Sequence, residues 1–422
     1  MVAEQLIHES KKSKIYLLED SEFGRPVLLK ILNYEFPTPK EIAQFYNEFE
    51  IIHGLEMKGV RLALKKLKVN SRHAMYLEYV KGKTAKEAFK GKQNDILDFL
   101  HIAIRMAEAL AELHEQNIIH KDISGNNIIV DIQDSWIKFI DLGLASKLTL
   151  KQQHLGNPTQ LEGTLEYISP EQTGRMNRVI DYRTDLYSLG VVLYEMLTGA
   201  TPFEGLDPLG MVHGHIAGMP ESVKSRNPNS PAQISDIIDI LLSKNSESRY
   251  QSAYGLKYDL EKCLEQFQAH KRIEEFTLRT QDFSGKFNLP QKLYGRDEEL
   301  EILLRKFEDV AEGGMEMVLV SGYSGTGKSA LVHEIHKPIS QRSGHFAEGK
   351  FDQYQRDVPY FAILQAFEEL IDILMGESKD TLQVIRKDIL EAVGDEGKVL
   401  TEVLPTLELI IGPQPEVPAL GG

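Results

Sequence analysis

The sequence predicts an α+β fold of two lobes, a small β-rich one and a larger helical one, followed by an incomplete α/β unit. Three observations predict it. Strand-length apolar runs fill the first 80 residues, and a helical apolar period takes over after about residue 82. Beyond residue 292 a helix, an apolar strand, a glycine loop and a second helix follow one another. At 422 residues the chain also exceeds a single core, since cores stop growing at about 250–300 residues.

In the first lobe IYLLE, PVLLKIL and AMYLEYV read as strands, broken by turns such as EFGRP. Between them Ile42, Phe45, Phe49 and Ile52 recur at three- and four-residue spacing, which predicts a helix with one face on the sheet. DILDFLHIAIRMAEALAELHEQ is a long helix closed by Asn117, a residue suited to a helix C-terminus. The short strands IIV and IKFI come next, then further helices. From about 261 to 292 the pattern weakens, and QDFSGKFNLPQK reads as a linker. RDEELEILLRKFEDVAEG is then an amphipathic helix, MVLVSG a buried strand ending at Gly322, and SALVHEIHKPI another helix. The closing PQPEVPALGG, rich in Pro and Gly, reads as a frayed end.

Composition narrows the setting. A net charge of −15 disfavours nucleic-acid or anionic-membrane surfaces, which attract Lys/Arg patches. Cys263 is alone, so no intramolecular disulfide can form, and a reducing cytoplasm is the expected compartment. MVAEQLIHESKKSK has no apolar core of signal-peptide length, and no apolar run of about 18 residues occurs, so no membrane segment is expected.

Moving a phosphoryl group needs a Lys for the phosphates, an Asp and an Asn for metal, and an Asp near the incoming hydroxyl. Lys30 ends VLLK, Asp122 and Asn127 sit in IIHKDISGNNIIV, and Asp141 sits in IKFIDLG. A lysine after an apolar strand is usually a surface residue, and a lone Asp-Leu-Gly usually a turn. Their order, followed by EGTLEYISPEQ and RTDLYSLGVVLYEMLTG, is another matter. Over residues 5 to 265 the sequence resembles the protein kinase family, which implies a bilobal protein kinase fold over 1–268, with lobes of about 1–80 and 81–268. A linker at 269–291 and a partial P-loop unit at 292–422 complete the expected organisation.

The resemblance implies roles residue by residue. Lys30 would pair with ATP phosphates and with Glu48 of the first helix; Asp122 would orient the substrate hydroxyl and accept its proton. Asn127 and Asp141 would hold Mg2+. His120 would pack the catalytic loop and Asp185 anchor it, while Glu171, in Ser169-Pro170-Glu171, would pair with Arg249. Glu78 and Val80 would lend backbone groups to adenine. Thr164 would contact Asp122, which favours Ser/Thr over Tyr as phosphoacceptor, although Ser124 stands where such kinases usually carry Lys. Protein substrates are the implied partners.

Two further departures bear on activity. Aligning Ile15 with the apolar residue that closes the family's glycine-rich loop puts His8, Ser10 and Ser13 where glycines belong, with Lys11, Lys12 and Lys14 nearby as charge. Lys121 replaces the usual Arg and cannot clamp a phosphorylated loop bidentately. A second reading therefore stays open, a kinase-like nucleotide-binding scaffold, against which stands the retention of Lys30, Glu48, Asp122, Asn127 and Asp141.

GYSGTGKS fits a phosphate-cradling P-loop. Gly322, Gly325 and Gly327 would supply the turn, Lys328 would reach the phosphates, and Ser329 would ligate Mg2+. LYGRDEEL resembles the entry to an AAA-type ATPase domain. A kinase joined in this way resembles the large multidomain signalling kinases common in cyanobacteria, whose sensor and histidine-kinase modules would lie downstream. Because LELII ends in Gly412 and not in an acidic residue, this unit is expected to bind nucleotide without hydrolysing it efficiently, and the chain reads as a fragment.

Overall fold

A computed structural model describes residues 4–415 apart from 20–21, 35, 56, 92–94, 148–162, 175–178, 284–294, 324–325, 336–338, 340–345, 352–359 and 376–378. The chain divides into two compact units, Met1–Tyr294 and Gly295–Gly422.

The first lobe of the first unit is an antiparallel sheet of β1 (Glu4–Glu9), β2 (Ser13–Leu18), β3 (Val27–Leu32), β4 (Ala63–Val69) and β5 (Arg72–Glu78), in the order β1-β2-β3-β5-β4. Strand alternation decides which side chains face the cleft. Leu28 and Leu32 join the main core while Val27 and Leu29 join a small cluster on the opposite face, so Lys30 lies on the cleft side. The apolar runs IYLLE, PVLLKIL and AMYLEYV fall on β2, β3 and β5. The sequence pattern does not reveal β1 or the edge strand β4, whose Lys65, Lys66 and Lys68 interrupt the apolar alternation and suit a strand with one unpaired flank.

Helix α1 (Pro39–Ile52) is set by a capping box between Thr38 and Glu41 and by Pro39 in its first turn. Its packed face buries Phe45, Ile51 and Ile52, and with them Glu48. That places a carboxylate on an apolar helix face.

The larger lobe opens with β6 (Lys83–Thr84), α2 (Ala85–Phe89) and α3 (Ile96–Glu115), after which Asn117 takes a left-handed φ of 58°. β7 (Ile118–Ile119) pairs with β10 (Ser146–Lys147), while β8 (Ile128–Asp131) and β9 (Trp136–Phe139) form a hairpin beside β6. Helix α4 (Arg183–Thr198) is buried along nearly its whole length. α5 (Pro208–Ile216), α6 (Val223–Arg226), α7 (Ala232–Leu241) and α8 (Ala253–His270) surround it. A Cβ at Gly190 of α4 would lie 2.6 Å from Leu241 Cβ, so only glycine lets α4 and α7 approach this closely. Cys263 is buried in α8, where burial pushes its thiol up to about 12.

The stretch after α8, where the sequence places a linker at 269–291, begins as an ordered strap. Ile273, Phe276 and Leu278 pack on the main core. The Asp282 carboxylate accepts from Gln251 N (2.7 Å), Ser252 Oγ (3.1 Å) and Arg279 Nε (3.2 Å), and Gln233 Nε2 donates to Phe276 O (2.9 Å). Three apolar anchors in a polar tract are too sparse to read as an element, which is why the sequence suggests a linker.

The second unit is helical among its described residues: α9 (Asp297–Ala311), α10 (Lys328–His333), α11 (Phe361–Leu374), α12 (Lys379–Val393), α13 (Gly397–Val403) and α14 (Glu408–Ile411). Ile371, Leu374, Leu404, Leu407, Ile410 and Ile411 form its small core. The expected buried strand MVLVSG is a correction. Residues 315–321 are neither laddered nor buried; Met315, Met317 and Leu319 are each about nine-tenths exposed. A parallel strand exists only with neighbours to share its backbone hydrogen bonds, and no described residue of this unit forms one.

Asp282→Ala is expected to lower unfolding stability by about 1 kcal/mol, the loss of hydrogen bonds to half-buried donors. Chemical denaturation of the full chain measures it. A loss under about 0.5 kcal/mol would mean that the three apolar side chains hold the strap without the carboxylate.

Candidate active site

Between the lobes lies a cleft of about 940 Å³, lined among others by Lys30, Val80, Asp122, Asn127 and Asp141. Its floor is the loop between β7 and β8. Asp185 of α4, with no exposed surface, accepts from His120 N (2.9 Å) and Lys121 N (2.9 Å), and its carboxylate also meets His114 Nε2 at 3.0 Å. Two consecutive amides aimed at one carboxylate fix the loop, with Lys121 at a left-handed φ of 65°. His120 Nε2 lies 3.2 Å from Ile140 O, which joins this loop to the segment leading into Asp141.

Asp122 projects from that loop with both oxygens engaged. Thr164 donates to Oδ1 through its amide (2.9 Å) and its hydroxyl (2.8 Å), and Asn127 Nδ2 donates to Oδ2 (2.9 Å). Burial raises the Asp122 pKa above the ordinary aspartate value, and the Thr164 hydrogen bonds oppose the rise. Gly163 makes the Thr164 contact possible: its φ is 114°, and a Cβ there would press on Lys121 O at 3.3 Å. Ser124, where the sequence lacks the expected lysine, is buried, and its carbonyl accepts from Asn127 N.

The roof carries the charges. Lys30 Nζ is 2.9 Å from Glu48 Oε2 and 3.0 Å from Asp141 Oδ1. Burial works against the Lys30 charge, but Asp141 and Glu48 outweigh it and hold the pKa above the usual lysine value. Lys30 in turn holds the Asp141 carboxyl far below the aspartate range. Burial opposes ionisation of Glu48 too, yet Lys30 and Arg61 keep its pKa lowered. Arg61 stands in GVRLAL, where an arginine amid apolar neighbours is the one sequence signal of its place in the cluster.

Asp141 and Asn127 meet the requirements of a magnesium site in donor chemistry. Asn127 Nδ2 is committed to Asp122, which leaves the amide oxygen as its ligand atom, and Asp141 offers a carboxylate open to the cleft.

The Glu78–Val80 segment and the first hairpin differ from expectation in detail. Val80 lines the cleft, but the Glu78 amide is spent on Leu62 O (2.9 Å) and its carboxylate on Lys138 Nζ (2.6 Å) and Leu62 N (3.1 Å). None of His8, Ser10 and Ser13 takes a positive φ. Instead Ser10 Oγ accepts from Lys12 N (3.2 Å) and Ser13 N (3.0 Å) and donates to Ser13 O (3.1 Å). A serine-pinned turn stands where glycine dihedrals would make a looser one.

Beyond Asp122 the segment from Gly163 is locked at its far end. Arg249, fully buried, donates to Glu171 Oε1 (2.7 Å) and Oε2 (2.8 Å), and Thr184 Oγ1 adds a bond to Oε1 (2.8 Å). Burial would raise the Glu171 pKa, but Arg249 overrides it and keeps it lowered. In the second unit, Lys328 Nζ donates to Gly322 O (2.8 Å) and Tyr323 O (2.8 Å), folding over the loop, and Ser329 is exposed. Gly327 has a φ of 83°, and Gly325 lies outside the described residues.

Comparison with known proteins agrees in extent with these two units. Residues 2–260 match the protein kinase domain model, and residues 292–420 match that of the AAA ATPase domain. The chain is 37% identical over 269 residues to the hybrid signal transduction histidine kinase G of Dictyostelium discoideum, covering 59% of this chain and 8% of that protein. It is 34% identical over 260 residues to a probable serine/threonine-protein kinase of Clostridium perfringens, covering 61% and 37%. To the serine/threonine-protein kinase PrkC of Bacillus subtilis it is 29% identical over 252 residues, covering 59% and 38%. The chain thus spans well under half the length of each of these relatives.

Glu171→Ala strands the Arg249 guanidinium in the interior and is expected to cost about 3–5 kcal/mol, read by denaturant unfolding. Because the folded pKa of Glu171 is lowered, its contribution is complete above the ordinary glutamate value and lost as pH falls through the folded value. The difference between the wild type and Glu171→Ala should therefore shrink on acidification; a difference independent of pH contradicts the ion-pair account.

Proposed function

The chain belongs to the protein kinase family, and on that premise we propose that it transfers the γ-phosphoryl of ATP to Ser or Thr hydroxyls of proteins. One observation carries the reading. Asp122 is held from both sides by Thr164 and Asn127, in the same cleft as the Lys30, Glu48 and Asp141 cluster.

The residues divide the work. Lys30, tied to Glu48, presents its ammonium to the ATP phosphates. Asp122 orients the incoming hydroxyl and takes its proton as that oxygen bonds to the γ-phosphorus and the bond to the β-phosphate oxygen breaks, releasing ADP. Its raised pKa makes it a better proton acceptor than an exposed aspartate. Magnesium held by Asp141 and Asn127 would neutralise charge on the transferred group. Thr164 supports Ser/Thr selectivity because its hydroxyl occupies Asp122 Oδ1 and leaves a narrow approach for an aliphatic hydroxyl. Val80 would meet adenine through its backbone; of Glu78 only the carbonyl side remains for that task, since its amide is bonded.

The AAA ATPase domain that follows would regulate the kinase, binding nucleotide through Gly322, Gly325, Gly327, Lys328 and Ser329. We place the unit boundaries at 1–268, 269–291 and 292–422, with the strap through 283 serving the kinase. No helix is long and apolar enough to cross a membrane among the described residues, and the work is proposed to lie in cytoplasmic signalling, with sensor or histidine-kinase modules as partners. The serine-pinned turn favours one other reading, a nucleotide-binding scaffold without transfer.

Phosphosite mapping after incubation with ATP and magnesium separates the two. Asp122→Asn and Lys30→Met are each expected to lower kcat at least about 100-fold, the lower range for a general base or phosphate-positioning group. Activity should also fall on acidification at a pH above that set by an ordinary aspartate, because the raised Asp122 pKa protonates the base earlier. Wild-type turnover in either variant overturns the kinase reading, and no transfer by the unaltered chain favours the scaffold.

A further inference from the structure

Arg61 lies outside the short motifs that carry Lys30, Asp122, Asn127 and Asp141, yet it is 4% exposed and lines the nucleotide cleft. Its Nη2 donates to Glu48 Oε1 at 2.9 Å, on the opposite oxygen from Lys30. Its backbone is stitched to the strand that leads into Asp141: Arg61 N donates to Phe139 O (3.0 Å), and Phe139 N donates to Gly59 O (2.8 Å). Two cations and two carboxylates, Lys30, Arg61, Glu48 and Asp141, therefore share one cluster.

We infer that Arg61 is a positioning residue for phosphoryl transfer, neutralising Glu48 independently of Lys30 so that helix α1 stays docked when Lys30 turns to the phosphates. The inference rests on the kinase reading. Lys30 has three claimants: Glu48, Asp141 and the phosphates of ATP. Glu48 has no exposed surface, and a buried carboxylate that lost its sole cation would have to leave the interior or take up a proton. Arg61 removes that choice, because its guanidinium keeps its charge and holds one oxygen while the other is shared. A purely space-filling role would be met by an apolar side chain. Arginine is kept although its Nε has no hydrogen-bond partner, a cost that a charge partner for Glu48 offsets.

Helix α1 is held from a second direction in a way that fits. Asn47 Nδ2 donates to Leu142 O (3.3 Å), Gly143 O (3.1 Å) and Ala145 O (2.7 Å), the turn immediately after Asp141. Both ties run within the resting fold and neither involves Lys121, the residue that replaces the usual loop-clamping arginine. The docked helix is thus built in and does not wait for a modified loop.

A double-mutant cycle on the full chain tests this, in a Lys328→Ala background so that nucleotide is read at one site. Arg61→Met, Glu48→Gln and the pair are compared for kcat, for KM of a protein substrate and for MgATP affinity. Arg61→Met is expected to lower kcat about tenfold or more with the protein-substrate KM within about twofold, and to have less than about a threefold effect once Glu48 is Gln. A tenfold effect that falls to threefold is a coupling of about threefold, or about 0.7 kcal/mol, within the range for residues in contact. Arg61→Lys, which keeps the charge, should recover most of the loss. Equal losses in both Glu48 backgrounds, or losses that Lys does not rescue, overturn the inference. If Arg61→Met does not fold, Arg61→Gln carries the same cycle. Should the unaltered chain transfer no phosphate, the kinase reading falls, while the cycle read on MgATP affinity still decides Arg61: coupling below about threefold rejects it and coupling of about threefold or more upholds the Glu48 link.

Discussion

A carboxylate taken wholly out of water must have a cation waiting for it, and Glu48 is such a carboxylate. The requirement organises the smaller lobe. Helix α1 can bury its Phe45–Ile52 face only in the one orientation that also delivers Glu48 to Lys30 on β3 and Arg61 at the head of β4. Apolar packing alone would tolerate a helix rotated or slid by part of a turn. The ion cluster does not, because either movement leaves charge without a partner in a region of low dielectric.

The larger lobe repeats the device where its loops need to be held. Asp185 has no exposed surface and is satisfied by two loop amides; Glu171 is nearly as buried and is satisfied by a bidentate arginine. These carboxylates add modestly to net stability, since desolvation consumes much of the Coulomb gain. What they supply is geometry. Asp185 sets where Asp122 projects, and Glu171 fixes the far end of the segment that brings Thr164 to Asp122. The strap at 271–283 extends the chain of supports, since Asp282 holds the amide of Gln251, two residues past Arg249.

The second unit shows the opposite condition. Its apolar residues in 315–319 are exposed, and its Lys328 turns back onto the loop carbonyls. Its small core joins α11, α12 and α14 with the turn around Leu407. Helices can satisfy their own backbone within a short stretch of chain, whereas a parallel strand depends on neighbours distant in sequence. That is why the helical expectation for 297–311 agrees with the structure while the strand expectation does not.

By itself the sequence determined the two-unit plan, the β-then-α order of the first unit and the residues that gather at the cleft: Lys30, Asp122, Asn127 and Asp141 stand in short motifs whose spacing is local, and Glu48, Glu171 and Arg249 fall at recognisable offsets from them. Tertiary structure alone decided what depends on partners far along the chain. Strand β4 is a strand because β5 pairs with it, although its lysines hide the alternation. Ser10 replaces glycine dihedrals by side-chain hydrogen bonds that no composition rule reveals. Residues 271–283 became a strap because Gln251 and Ser252 had donors to satisfy, and Arg61 became a second cation for Glu48 because two chain segments 13 positions apart converge on one carboxylate. Local patterns reveal which residues are present and how they alternate; only the fold reveals which buried charge each of them must meet.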